Sequence, residues 1–272
     1  MTARSRITAV AVALSLGVGV SACSTTTADD GPLVVVTTNI LGDVVERVVG
    51  DQARVVTLMP PGADPHSFEI SPKEAALILD ADVVVSNGLG LEEGLERHVD
   101  AARADGVPIV AAGELVEPLE YTAGDAAGTV DPHFWTDPAR VRALVPAIVD
   151  AIDETTGLDV SANAAAYDAQ LADLDEWMTD AFAALSQSSR RLVTNHHVFG
   201  YLADRFDFEI VGAVIPGGST LAAPSASDLR ELVTAIDSCR CSPTRPTWTS
   251  PSSSSTPSRS PNPAETPPPT SP

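Results

Sequence analysis

The sequence predicts an α/β protein with two lobes of mainly parallel sheet, a long helix between them and an incomplete second lobe. Three observations lead there. Strand and helix signals alternate from Leu33 onward, the pattern of parallel sheets with crossover helices. The strands are short, continuous apolar runs such as Leu33-Val34-Val35-Val36 and Val83-Val84-Val85, as expected for strands covered on both faces. Residues Ser161 to Gln187 contain neither Gly nor Pro, and at 1.5 Å per residue a helix of that length reaches about 40 Å, enough to cross a lobe.

The elements follow in order. Leu33 to Thr38 reads as a buried strand, and Ile40 to Val49 as a helix. Arg54 to Leu58 is a second strand running into the turn signal Pro60-Pro61-Gly62. Ser71-Pro72-Lys73-Glu74 opens a helix, with Ser71 as N-cap, Pro72 in the first helical position and Glu74 closing a capping box. A strand over Asp82–Ser86, a helix over Glu92–Arg103 and a short strand over Val107–Val110 come next. Pro138 to Asp153 is a helix with Val141, Leu144, Ile148 and Ile152 on one stripe. Arg191–Thr194 and Glu209–Val214 are strands of the second lobe, separated by a helix over Val198–Phe206; Ser225 to Ile236 is a further helix.

Residues 1–22 have the pattern of a leader: Arg4 and Arg6 precede an apolar stretch from Ile7 to Val20, too short to span a bilayer. The stretch ends at Val20-Ser21-Ala22-Cys23, which resembles the lipobox of bacterial lipoproteins. That implies cleavage before Cys23 and lipid on its thiol; the alternative is an ordinary signal peptide with an incidental Cys. Residues 23–32 then form a short polar tether. The expected location is extracytoplasmic, on a bacterial cell membrane. A formal charge of −21, with Lys73 the only lysine, argues against nucleic acid as a partner. Cys239 and Cys241 are too close for an unstrained bridge.

Three of the five histidines stand where an imidazole could face a metal: His66 in Asp64-Pro65-His66-Ser67-Phe68-Glu69, His133 in Asp131-Pro132-His133-Phe134-Trp135, and His196 in Asn195-His196-His197-Val198-Phe199-Gly200-Tyr201. Three neutral imidazoles and a fourth ligand make a tetrahedral zinc site. His66 follows the second strand and His196 the first strand of the second lobe, and ligands of open α/β sheets bind beyond the carboxyl ends of strands. Asp131 could orient the His133 ring through its second nitrogen, and His197 is a further candidate in the outer shell.

These motifs, with Ala81-Asp82-Val83-Val84-Val85-Ser86-Asn87-Gly88 and the long helix, resemble the substrate-binding lipoproteins of zinc and manganese ABC importers over roughly Leu33 to Asp237. The resemblance implies two α/β lobes bridged by a rigid helix, here residues 33–153, 158–188 and 190–237. It implies ligands at His66, His133 and His196, an ABC permease as partner and a monomeric receptor that is not an enzyme. A third imidazole, where manganese-selective relatives carry Glu, favours Zn2+ over Mn2+. The stretch before His133, Thr122 to Thr129, contains no His, so no metal-gathering loop is expected. A catalytic zinc would need a general base and a substrate pocket, for which the sequence has no motif. A role in cell adhesion, with the tail as a stalk, would leave the three histidine motifs unexplained.

After Asp237 the composition changes abruptly. Of the residues from Ser238 to Pro272, ten are Pro, ten Ser and six Thr, and none is Val, Ile, Leu, Met or Phe. Such a segment buries no core, and disorder is expected over 238–272. It interrupts a helix pattern, and the Asp that the resemblance implies as fourth ligand has no match. A frameshift near Asp237 accounts for both; a native Ser/Thr/Pro-rich tail is the competing view. Translation of the gene's other frames beyond Asp237 is expected to recover alternating strand and helix patterns, and their absence would contradict the frameshift.

Overall fold

The computed structural model describes residues 31–122 and 124–240. The leader, Cys23, nearly all of the tether and the tail from 241 onward lie outside the described residues. The chain forms two compact units, one of residues 31–118 and 138–173, the other of 119–137 and 174–240. Residues 119–137, assigned to the first lobe on sequence, therefore group with the second.

The first unit is built on a four-stranded parallel sheet in the order β2-β1-β3-β4, comprising β1 (Leu33–Val36), β2 (Arg54–Thr57), β3 (Val83–Ser86) and β4 (Ile109–Ala111). β1 and β3 are buried along their whole length, which explains why they lack polar alternation. Leu33, Val35, Leu58, Ile78, Val84 and Leu95 are part of one core cluster. α1 (Asn39–Val49) starts on Thr38, whose side chain accepts the Leu41 N–H, and ends at Gly50, where φ is 63°. α2 (Pro72–Leu79) begins with the expected capping box: Ser71 and Glu74 bond each other's backbone N–H. α4 (Pro138–Thr156) buries Val141, Leu144, Val145, Ile148 and Ile152 as one stripe.

Several helix boundaries differ from expectation, and the long helix expected over Ser161–Gln187 ends at Ala183. α3 covers Glu96–Ala104, so Glu92 lies before it. α6 starts at Gly200 rather than Val198. α7 runs from Ala226 to Arg240, so residues 238–240, expected to be disordered, complete a helix begun by the apolar positions before them. α5 (Ser161–Ala183) carries the chain from the first unit into the second. The second unit pairs β5 (Arg191–Thr194) with β6 (Glu209–Ala213) in parallel, with α6 (Gly200–Phe206) between them in sequence. Both sheets are parallel, as predicted. Among the described residues no helix is long and apolar enough to cross a membrane.

Glu92 carries a structural role that sequence periodicity hides. Its carboxylate accepts the Thr37 hydroxyl beyond β1 and the N–H groups of Asn87 (2.7 Å) and Gly88 (3.1 Å) beyond β3. It thus ties the carboxyl ends of the two central strands together. Burial pushes its carboxyl above the ordinary value of 4.5, although each of these bonds pulls the other way. A raised folded-state value means that this residue's contribution is fully present below the unfolded value and is lost as pH rises through the folded one. Urea unfolding from about pH 4 to about pH 7 is therefore expected to show wild type losing stability relative to Glu92→Gln. Parallel stability–pH curves would contradict the assignment.

Candidate metal centre

The second unit brings His133 and His196 together, from positions 63 residues apart, with their Nε2 atoms 3.3 Å from each other. Both side chains are buried. His133 ends the Asp131-Pro132-His133 turn and precedes one turn of 3-10 helix at Phe134–Thr136. Asp131 Oδ1 accepts the His133 backbone N–H at 2.9 Å and lies 2.7 Å from its ring Nδ1. A carboxylate only accepts, so the ring proton belongs on Nδ1 and the Nε2 lone pair points at His196. Two imidazoles bound to a tetrahedral zinc at 2.0–2.1 Å have their nitrogens about 3.3–3.4 Å apart. The observed separation has that size.

His196 follows β5 directly. The ladder continues past the strands, Val214 N–H donating to the Thr194 carbonyl and Ile215 N–H to that of Asn195, which fixes the backbone leading into the histidine. Thr194 Oγ1 donates to the His196 carbonyl at 2.7 Å. The next helix, α6, fastens Asp131. Tyr201, fully buried, donates its hydroxyl to the Asp131 carbonyl at 2.7 Å and accepts the Leu119 N–H at 3.0 Å. Gly200 lets the backbone pass the Asp131 carboxylate; a Cβ there would collide with Oδ2. Arg205 of the same helix pairs with Asp175 at 2.9 Å.

Tyr121 adds a contact that the sequence did not reveal. Its hydroxyl lies 3.1 Å from His133 Nδ1 and donates to the Gly218 carbonyl at 3.1 Å. Burial and the neighbouring Asp131 charge push the phenol well above its ordinary range, so the proton stays available for donation. The ring sits so close to Gly218 that a Cβ at that position would overlap it. His197, although adjacent to His196, points elsewhere. Among the described residues no hydrogen bond reaches its ring, which meets the Tyr121 ring edge-on at 6.3 Å. Burial lowers the basicity of its imidazole, against the pull of Asp131.

His66 belongs to the first unit, in the loop after β2. Its backbone N–H donates to Asp64 Oδ1 at 3.1 Å, the same Asp-Pro-His turn that Asp131 makes with His133. A signal for this duplicated turn is present in the sequence, because Asp64-Pro65-His66 and Asp131-Pro132-His133 are identical tripeptides.

Residues 34–241 match the family described as the periplasmic component A of the zinc-uptake complex, ZnuA. The chain is similar to the manganese-binding lipoprotein MntA of Halalkalibacterium halodurans, with 34% identity over 193 residues, covering 69% of this chain and 63% of that protein. It is also similar to the zinc-binding protein TroA of Treponema pallidum, with 30% identity over 213 residues, 77% of this chain and 68% of the relative. The solved structure of periplasmic TroA superimposes with a TM-score of 0.70 at 28% identity, covering 77% of this chain and 76% of that one.

Removing the Tyr201 hydroxyl takes one bond each from the Asp131 carbonyl and the Leu119 N–H. Tyr201→Phe is expected to lower unfolding stability by about 1–3 kcal/mol, measured by urea titration; an unchanged midpoint would show that this hydroxyl does not hold the turn.

Proposed function

Since the chain belongs to the family of the periplasmic zinc-uptake component A, we propose that it is an extracytoplasmic receptor that captures zinc and delivers it to an ABC permease in the membrane. In this reading His133 and His196 of the second unit and His66 of the first are the protein ligands, and Asp131 holds His133 in the metal-binding tautomer. Lipid on Cys23 tethers the receptor, and the protein acts as a carrier rather than an enzyme. The fourth position is filled by water or by a group not identified among these residues. The observation that carries the reading is the His133–His196 pair, two buried Nε2 atoms 3.3 Å apart. The Asp-Pro-His turn shared by His66 and His133 supports His66 as the third ligand.

Manganese is the second reading, favoured by the 34% identity to a manganese-binding lipoprotein. Three imidazoles weigh toward zinc, because manganese prefers oxygen donors. The ligands must be neutral, so binding releases protons and weakens in acid. A chelator-competition titration of zinc, with manganese as competitor, tests the proposal. Zinc is expected to outcompete manganese, and Ala at His66, His133 or His196 is expected to lower zinc affinity by at least about tenfold. Manganese outcompeting zinc would support the second reading, and unchanged affinity in the variants would refute the ligand set.

A further inference from the structure

Tyr121 reaches the histidine pair from a hairpin that contains no histidine. It stands at the base of that hairpin, next to the bridge between Glu120 and Val130. Its N–H donates to the Thr129 carbonyl and its carbonyl accepts the Gly128 N–H, both at 2.9 Å. The hairpin also holds the loop that follows β6. The Tyr121 hydroxyl donates to the Gly218 carbonyl at 3.1 Å, and the Asp125 N–H to the Pro216 carbonyl at 3.3 Å. Both approaches need a missing side chain. A Cβ at Gly218 would lie 2.5 Å from the Tyr121 ring, and one at Gly124 would overlap the Pro216 carbonyl oxygen. Gly217 is under no such constraint, because its Cβ would meet nothing closer than 3.8 Å. Hairpin and loop thus form a clasp, and Tyr121 is its member in contact with His133.

We propose that Tyr121 is a positioning residue of the centre and links metal occupancy at His133 to the order of the loop over 215–221. The inference rests on His133 being a metal ligand. A hydroxyl that donates to Gly218 keeps its lone pairs for a donor on its other side, and His133 Nδ1 lies there at 3.1 Å. The Nδ1 proton is then shared between Asp131 Oδ1, the nearer acceptor at 2.7 Å, and the tyrosine oxygen. A cation on Nε2 withdraws charge from the imidazole and makes Nδ1–H a stronger donor. The bonds from Nδ1 to the tyrosine and from the tyrosine to Gly218 run in series, so strengthening the first polarises the second. Asp131 Oδ1 only ties the ring back to the His133 backbone, whereas Tyr121 leads out to a different segment. Such coupling is reciprocal: the clasp favours the metal by the factor by which the metal favours the clasp. The loop ends at Leu221, which is 59% exposed. The surface of the second unit then differs between the loaded and the empty receptor.

Zinc affinity by chelator competition, together with amide hydrogen exchange of the full chain with and without zinc, tests the link. Tyr121→Phe keeps the ring and removes the hydroxyl, and it is expected to lower zinc affinity by about tenfold. In wild type, zinc is expected to slow exchange over residues 217–221 by about the same factor. In Tyr121→Phe that slowing is expected to vanish. A residue that only stabilised the fold would instead change exchange equally with and without zinc. Gly218→Ala, which displaces the tyrosine ring, is expected to reproduce both effects, whereas Gly217→Ala is expected to leave both within about twofold. Zinc affinity unchanged in Tyr121→Phe, zinc-dependent slowing that persists in it, or an equal effect of Gly217→Ala and Gly218→Ala overturns the proposal and leaves the ligand set in place. Zinc binding indifferent to His133→Ala removes the ligand reading, and the proposal with it.

Discussion

The hydrogen bond from His133 Nδ1 to the Asp131 carboxylate, 2.7 Å long and almost fully buried, is the contact on which the rest of the centre depends. It decides which nitrogen carries the proton and therefore which one can bind a cation. The same carboxylate oxygen accepts the His133 backbone N–H, so the turn and the ring orientation are set by one group. Without that carboxylate, Nε2 could carry the proton as readily as Nδ1, and the 3.3 Å approach to His196 would place N–H bonds where a ligand must offer a lone pair.

Burying a carboxylate costs free energy unless its surroundings compensate. The second unit is arranged around that requirement. Tyr201 fastens the Asp131 backbone, Gly200 leaves room for the carboxylate, and Tyr121 closes the far side through its bond to Gly218. The first unit solves a comparable problem with Glu92, whose buried carboxylate is held by groups from the ends of β1 and β3. In both units a buried acid is fixed at the end of a strand or turn, where chain segments distant in sequence meet.

That arrangement explains which features were legible in the sequence. The central strands were readable because Leu33–Val36 and Val83–Ser86 are buried on both faces and so carry uninterrupted β-branched runs. The α2 start was readable because a capping box is a contact three residues long. The histidines were readable as motifs, and the Asp-Pro-His turn is a two-residue contact. Tyr201, Tyr121 and Glu92 were not, because their partners lie 70, 97 and 55 residues away. No local period or cap marks such a residue, and Glu92 was absorbed into a helix pattern that begins four residues later. The end of α7 was misjudged for a related reason: a Ser-Cys-Arg run looks like tail composition, but it extends a helix already nucleated by the residues before it. The placement of 119–137 was missed because its ties to the second unit run through Tyr201 and Gly218.

In the proposed centre, imidazole nitrogens, with His133 and His196 as a pair, form the coordination shell of zinc. Zinc K-edge absorption spectroscopy of the protein loaded with one equivalent measures that shell directly. The expected spectrum is that of a four-coordinate centre with three histidine nitrogens at about 2.0–2.1 Å, falling to two in His196→Ala. A six-coordinate shell of oxygen ligands, or a spectrum unchanged by His196→Ala, would contradict it.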